Sequence, residues 1–164
     1  FEFSSLELSE ILKKIGIQYG DEAVSIERNG LGRNNLLYMA VVLAHLYEKQ
    51  SNYFRIIAIE EPEAHLHPRG QRKIGELVAL AAANGVQIFM ETHSDHVLNG
   101  IRLSVRNKKI SSDKVKINYF YEYPSEEGIQ KHEKTSPEIL EDGSLSNWPE
   151  GFFDEWDKAI DELF

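Results

Sequence analysis

A short apolar segment that ends abruptly at two adjacent carboxylates constrains this chain more than any other feature. Residues Ile56 to Ile59 are all apolar, and Glu60 and Glu61 follow them directly. Such a run, bounded by charge, is typical of a strand buried on both faces of a parallel sheet. Open α/β sheets bind their ligands at the carboxyl ends of the strands. The sequence therefore predicts a ligand crevice beside this pair of acids.

The two carboxylates can perform different tasks at such a crevice. One can hold a hydrated magnesium ion, while the other polarises a water molecule for attack on a phosphate. The alternative is that Glu60 and Glu61 only stabilise the start of the following helix, because carboxylates are favourable near helix N-termini. The functional interpretation is favoured, since two like charges at a buried strand end are costly without a cation.

Apolar periodicity divides the chain into helices and strands. The alternation up to about residue 110 indicates an α/β fold in which parallel strands are joined by helical crossovers. Beyond it, two β-prone segments predict a hairpin. We accordingly divide the chain into residues 1–110 and a C-terminal extension, residues 111–164. The predicted helices span 5–15, 34–47, 69–83, 95–107 and 152–164, and the predicted strands span 23–27, 56–59, 86–90, 115–123 and 128–135.

Composition excludes several classes of protein. The 164 residues, 41% hydrophobic and 27% charged, fit one ordinary globular domain. The absence of cysteine excludes disulfides, cysteine-ligated zinc and thiol catalysis. A formal net charge of −9 argues against a protein that coats nucleic acid. No apolar run approaches the roughly 18 residues of a membrane span, so we expect a cytoplasmic protein without membrane contact.

Four segments together resemble one known family. Residues Ile56 to Pro68 resemble the Walker B strand and D-loop of ABC-type ATPases in the SMC, RecF and OLD-like branch, of the AAA_15 or AAA_21 type. Asn29 to Tyr38 resemble the signature loop and helix of the OLD-like members, and Met90 to Ser94 resemble the strand end that carries the switch histidine. Residues 147–155 resemble the DUF3696-like extension of a subgroup of these ATPases.

The resemblance implies a fold, two cofactors and three residue roles. The fold would be the C-terminal lobe of a P-loop NTPase, the ABC ATPase head, followed by a small hairpin and helix. ATP and Mg²⁺ would be bound. Glu60 would contact the magnesium ion, Glu61 would be the general base, and the neutral imidazole of His93 would hydrogen-bond the γ-phosphate. The alternative for His93 is a core histidine satisfied by backbone groups.

The resemblance further implies that two copies share each nucleotide in an ATP-sandwich homodimer. His65 of the D-loop would cross to the partner subunit. Residues 29–33, which contain the two glycines of a G-x-G pattern, have two interpretations. They are a phosphate-binding loop or a simple turn, since a lone G-x-G is a weak signal. The residues that would bind the γ-phosphate of nucleotide held by the opposite subunit are Asn29, Gly30, Gly32 and Arg33.

The phosphate-binding loop of such an ATPase has no counterpart in this sequence. No G-x-x-x-x-G-K-[ST] segment occurs, and the chain contains no Gly-Lys pair. We expect this chain to be the C-terminal half of a protein whose N-terminal half supplies the Walker A loop, and we expect no ATP hydrolysis by this chain alone. DNA or a defence effector protein is a further candidate partner.

Two other functions remain open alongside ATP hydrolysis. One is a non-enzymatic dimerisation or interaction module derived from an ABC ATPase. The other is a Toprim nuclease, which is disfavoured because no paired acids resembling DxD follow a strand in the tail.

Three side-chain clusters have weaker functional interpretations. A metal site among the histidines is disfavoured, since their spacing does not show convergent geometry. The basic residues after position 100 could touch DNA, although such a run is usually a solvated face. The aromatic residues of the tail are expected to seal it onto the core. The clusters are His65, His67, His93 and His96; Arg102, Arg106, Lys108, Lys109, Lys114 and Lys116; and Trp148, Phe152, Phe153 and Trp156.

Overall fold

Helices and strands alternate along the first part of the chain, and a hairpin and a short helix follow. The computed structural model describes residues 30–48, 54–124 and 130–164. The predicted helix over residues 5–15 and the predicted strand over residues 23–27 lie outside these ranges. The elements are α1 (Leu31–Glu48), β1 (Ile56–Glu60), α2 (Pro68–Ala83), β2 (Gln87–Glu91), α3 (Asp95–Arg106), a 3₁₀ turn (Ser112–Lys114), β3 (Tyr119–Pro124), β4 (Gln130–Thr135) and α4 (Glu155–Leu163).

Strands β1 and β2 form a parallel pair connected by helix α2. Their register places Ile56 opposite Gln87 and Glu60 opposite Glu91. The predicted α/β character and the parallel strands joined by a helical crossover are confirmed for this unit. Because parallel strands end at the same edge, the acidic residues that close β1 and β2 lie side by side.

Among the described residues, helices cover only one face of this strand pair. Ile59 and Met90 pack against Met39 of α1 and Ile74 of α2 in an apolar cluster. The alternate side chains point away from the helices, and Phe89 is 58% exposed. The prediction that β1 is buried on both faces is therefore wrong for the described structure, because side chains alternate along a strand and the helices pack on one side.

The helix boundaries follow local capping signals. The side chain of His67 accepts a hydrogen bond from the Arg69 amide at the start of α2, and Pro68 occupies the first helical position. At the other end, Gly85 has a φ of 85°, which L-residues rarely adopt. Ser94 caps α3 by accepting a hydrogen bond from the Val97 amide.

The C-terminal residues share a core with α2 and α3. Ile110, Ile139 and Phe152 are buried together with Leu98 and Val105. Strands β3 and β4 pair in antiparallel fashion, which confirms the predicted hairpin. None of the helices within the described ranges combines the length and apolarity that crossing a bilayer requires.

Three of the four aromatic residues predicted to pack the tail onto the core do so, and the prediction is wrong for the fourth. The rings of Trp148 and Phe153 lie 5.6 and 4.7 Å from the ring of buried Phe152. Trp156 is instead 75% exposed. Helix α4 begins only at Glu155, because the preceding turn includes Phe153 at a φ of 57° and cannot be helical.

Candidate functional site

The chain turns sharply directly after β1, and Glu61 lies at the start of this turn. Its backbone adopts a φ of 43°, and its amide donates a hydrogen bond to the Glu91 carbonyl over 3.1 Å. This bond extends the parallel pairing one residue beyond β1. A left-handed conformation costs a non-glycine residue about 1 kcal/mol or more, so the surrounding structure holds Glu61 in place.

The structure brings the two predicted catalytic residues, Glu61 and His93, together with a third residue. Ligand atoms of Glu61, Glu91 and His93 all lie within 4.8 Å of one another. His93 Nε2 lies 2.7 Å from a carboxylate oxygen of Glu91. These three side chains, which we call the acid–histidine cluster, are exposed at the carboxyl edge of the strand pair.

Glu91 had no predicted role, although the sequence contains a signal for its position beside the site. Both strands end in glutamate, after Ile59 in β1 and after Met90 in β2. In a parallel pair with the same inward apolar positions, the two terminal glutamates must lie on the same face. Identifying them as a pair required the register, which the sequence alone did not supply.

Glu60 lies beside this cluster but is not one of its three members. Its Cα is the register partner of that of Glu91, and its side chain is on the exposed face of the strands. The expectation of a buried acid pair is wrong, since both Glu60 and Glu61 are exposed. Water therefore screens their charges, and burial supplies no argument for a cation here.

His93 is not a core histidine. Its side chain is 75% exposed, and its ring contacts Glu91 rather than buried backbone groups. The alternative of a satisfied core residue is therefore wrong. An exposed imidazole held by a carboxylate remains accessible to a ligand at the strand edge.

The predicted signature loop differs from expectation in where its helix begins. Helix α1 starts at Leu31, so Gly32 and Arg33 lie in its first turn rather than before it. Gly30 immediately precedes the helix, and Asn29 lies outside the described residues.

Gly32 is explained by close packing against residues 61–66, the turn between β1 and α2 that we call the acidic turn. A Cβ atom added at Gly32 would lie 2.2 Å from the His65 carbonyl oxygen and 2.9 Å from a methyl carbon of Leu66. His65 itself is exposed, with a φ of 62°. The structure thus brings two predicted loops into contact, although Gly32 faces protein backbone and not open solvent.

The carboxylate of Glu63, a residue with no predicted role, connects the turn after β1 to the turn after β2. It accepts hydrogen bonds from the Thr92 hydroxyl over 2.7 Å and from the His93 amide over 2.6 Å. These partners are 29 and 30 residues away in sequence. No local pattern could have revealed this contact.

The four histidines do not form a metal site in the part of the chain that the structure describes. His67 caps α2, and His96 lies 3.6 Å from Asp95. Of the four, only His93 belongs to a group of three close ligand atoms there, the acid–histidine cluster. Carboxylate oxygens are the ligands that Mg²⁺ prefers, so the acids of this cluster fit such an ion.

The predicted basic cluster divides into one structural residue and several exposed ones. Arg102 donates hydrogen bonds to the Gly143 carbonyl and to Asn99, and its guanidinium lies 5.5 Å from the centre of the Trp148 ring. These contacts fasten the extension to α3 and give Arg102 a structural role. The exposed members are Arg106, Lys108, Lys109, Lys114 and Lys116.

Open α/β sheets are a class of fold that binds ligands at the carboxyl ends of the strands. This chain has such an α/β unit, with two acids and a histidine at that edge. Residues 2–98 match the family model described as AAA ATPase domain, AAA_15, and residues 110–163 match that of a protein of unknown function, DUF3696. Because the first match covers more than half of the chain, this protein belongs to the AAA_15 family of ATPase domains, here followed by a DUF3696 extension.

Two known proteins show more distant similarity. Endonuclease GajA of Bacillus cereus (strain HuB5-5) is 35% identical over 101 residues, which covers 52% of this chain but 15% of that protein. A solved structure from work on ATP-driven dimerization and DNA stimulated activation of SMC ATPases covers 88% of this chain and 67% of its own. Its TM-score is 0.47 at 16% identity, so the similarity is too weak to place individual residues.

Proposed function

We propose that this chain takes part in magnesium-dependent ATP hydrolysis as the C-terminal lobe of an OLD-like or SMC-like ABC-type P-loop ATPase. The observation that carries the proposal is the convergence of Glu61, Glu91 and His93 at one strand edge. Residues 1–110 would form the catalytic lobe and residues 111–164 the extension packed on it. The phosphate-binding loop would come from residues outside this sequence, which has no Gly-Lys pair.

Glu61 is the proposed general base. Its exposed carboxylate is free to reach a water molecule, and it accepts a proton as that water attacks the terminal phosphate. Magnesium, when bound, neutralises charge that develops on the phosphate oxygens. Glu60 would hold the ion, and Glu91 on the adjacent strand would add a second carboxylate.

His93 is proposed to contact the terminal phosphate. In the described conformation its Nε2 atom lies 2.7 Å from the Glu91 carboxylate, so the ring is already oriented towards an anionic oxygen. In the proposed complex a phosphate oxygen would take the place of that carboxylate oxygen, and the exposure of the His93 side chain leaves it accessible for this exchange. The neutral ring with a hydrogen on Nε2 would donate this bond.

A second copy of the protein is the proposed partner at the nucleotide. Gly30, which is exposed at the start of α1, would approach phosphate bound by the opposite subunit, together with Asn29 and Arg33, while Gly32 packs against the turn that carries His65. His65 would reach across from its exposed position in the turn. Similarity to an endonuclease supports DNA as a further partner, a proposal that concerns the whole protein and not this chain.

Phosphate release by the complete protein tests the proposal. We expect turnover that requires magnesium, and a mass that doubles when ATP and magnesium are present. Dimerisation without any phosphate release would instead support a non-enzymatic module.

A further inference from the structure

Two polar side chains connect the acidic turn to the histidine turn. The acidic turn is residues 61–66, between β1 and α2, and the histidine turn is residues 92–94, between β2 and α3. Glu63 bridges the beginning of both turns through its two carboxylate oxygens, one of which binds the Thr92 hydroxyl and the other the His93 amide. Each oxygen is thus committed to one of the two residues at the start of the histidine turn.

Gln71 bridges the end of the same two turns. Its amide nitrogen donates a hydrogen bond to the Leu66 carbonyl over 2.8 Å, and its amide oxygen accepts one from the Ser94 hydroxyl over 2.7 Å. The Ser94 amide in turn donates to the Thr92 hydroxyl oxygen over 3.2 Å. The two bridges therefore form a continuous network that spans both turns.

Glu63, Gln71 and Thr92 are partly buried and Ser94 is buried, so water competes poorly for the hydrogen bonds between their side chains. The bond from the His93 amide to Glu63 is exposed, and it is held by its 2.6 Å geometry beside the partly buried bond from Thr92. The groups proposed to act on ATP, Glu61 and His93, are by contrast exposed and lie on the outer side of the turns. Hydrogen-bonded side chains that are partly buried thus support the exposed side chains of Glu61 and His93. This arrangement favours a fixed separation between the reactive groups.

We propose that Glu63 and Gln71 are positioning residues that hold the turn bearing His93 against the turn bearing Glu61. Neither touches the nucleotide; each acts through the backbone of the turns. The inference rests on the proposed ATP hydrolysis for its kinetic consequence, while the physical link between the turns exists whether or not ATP is hydrolysed. These two parts are tested separately.

Hydrogen exchange of the complete protein tests the link itself. In Glu63→Ala the His93 amide loses its acceptor, so we expect exchange of a peptide covering residues 90–98 to become faster. The matched control is Glu133→Ala, which removes a carboxylate that also accepts two hydrogen bonds, from Tyr121 and Tyr123 in the hairpin. Unchanged exchange in Glu63→Ala would overturn the link, even if the protein hydrolyses no ATP.

ATP turnover tests the positioning role. A misplacement of about 1 Å can cost about 100-fold in rate, so we expect Glu63→Ala to lower kcat by about 10-fold or more, with KM for ATP changed less than about 2-fold. Glu63→Gln keeps one acceptor oxygen and should recover part of the loss, whereas Glu133→Ala should turn over at the parental rate.

Thr92→Val provides a second variant of similar shape that removes one of the bridging bonds. Its effect on kcat should be non-additive with that of Glu63→Ala, since both break the same bridge. Parental kcat in Glu63→Ala, or a loss confined to KM, would overturn the positioning role. Absence of turnover in the unmodified protein would contradict the proposed function and leave the exchange result standing.

Discussion

The Nε2 atom of His93 lies 2.7 Å from a carboxylate oxygen of Glu91, the last residue of β2. The contact joins a residue after β2 to the end of β2 itself, two positions earlier. It orients the imidazole across the carboxyl edge of the strands, where Glu61 is also found. The ring is thereby held in the open, accessible to a ligand on the same edge.

Replacement of His93 by alanine in the complete protein should lower ATP turnover strongly and leave the fold intact. The side chain is 75% exposed and packs against no core cluster in the described structure, so its loss removes a ligand contact and little else. Loss of one such hydrogen-bond donor costs about 10²–10³-fold in kcat. The control is His96→Ala, a nearby histidine that also has a carboxylate neighbour, Asp95. Parental turnover in His93→Ala would make His93 merely structural.

Gly32→Ala should destabilise the protein, although alanine normally favours a helix. The new methyl group would lie 2.2 Å from the His65 carbonyl oxygen, so either α1 or the acidic turn must shift. Overpacking of this kind costs about 1–3 kcal/mol, measurable as a lower midpoint in urea unfolding. Gly30→Ala is the matched control, because nothing lies within 4 Å of its added Cβ. Equal effects of the two substitutions would contradict the packing explanation.

Acid should weaken the β3–β4 hairpin. Hydrogen bonds from Tyr123 and Tyr121 lower the pKa of Glu133 below its usual value near 4.5. A lowered folded-state pKa means that this carboxylate contributes stability above pH 4.5, and the contribution is lost as the pH falls through the folded value. Glu133→Gln should therefore increase hydrogen exchange of β3 at neutral pH, and the difference from the parent should shrink as the pH falls through the lowered pKa of Glu133. A difference that persists unchanged in acid would argue against this origin.

The isolated 164-residue chain should not bind ATP with micromolar affinity. The sequence has no Gly-Lys pair, so it lacks the phosphate-binding loop, whose lysine and backbone amides surround the phosphates of a bound nucleotide. Calorimetric titration with ATP and magnesium should give no heat of specific binding. Micromolar binding would mean that the phosphate cradle lies within this chain after all.

The element order and the positions of the reactive residues could be predicted because their signals are local. The cap at Ser94 and the break at Asn84–Gly85 define helix ends within a residue or two, and the apolar runs define the two parallel strands. The edge position of Glu61 and His93 follows from parallel pairing alone.

Burial and tertiary contacts could not be predicted, since they depend on which elements pack where. The run from Ile56 to Ile59 has the pattern of a strand buried on both faces, yet in residues 30–48, 54–124 and 130–164 the helices lie on one side. The partners of Glu63 are about 30 residues distant, and the contact of Gly32 with His65 joins two separate loops. Trp156 is likewise exposed because the packing of the C-terminal segment against the core ends before it, which its aromatic character could not reveal.

The phenotypes of Glu60→Gln and Glu61→Gln in the complete protein separate the roles of the adjacent acids. Glutamine at position 61 still contacts water but accepts no proton, so nucleotide binding should persist and a dimer should accumulate. At position 60 the same change weakens a magnesium ligand, so we expect loss of nucleotide binding as well as turnover. An exchange of the two phenotypes would reverse the assignment of the acids.

Phosphate release by Glu61→Gln, recorded together with its mass in ATP and magnesium, is the most direct test that this strand edge hydrolyses ATP. Removal of the general base should slow the chemical step by about 10²–10⁴-fold and leave the protein as a stable ATP-bound dimer. Normal turnover, or a protein that stays monomeric with ATP, would contradict the assignment of Glu61 and with it the proposed site.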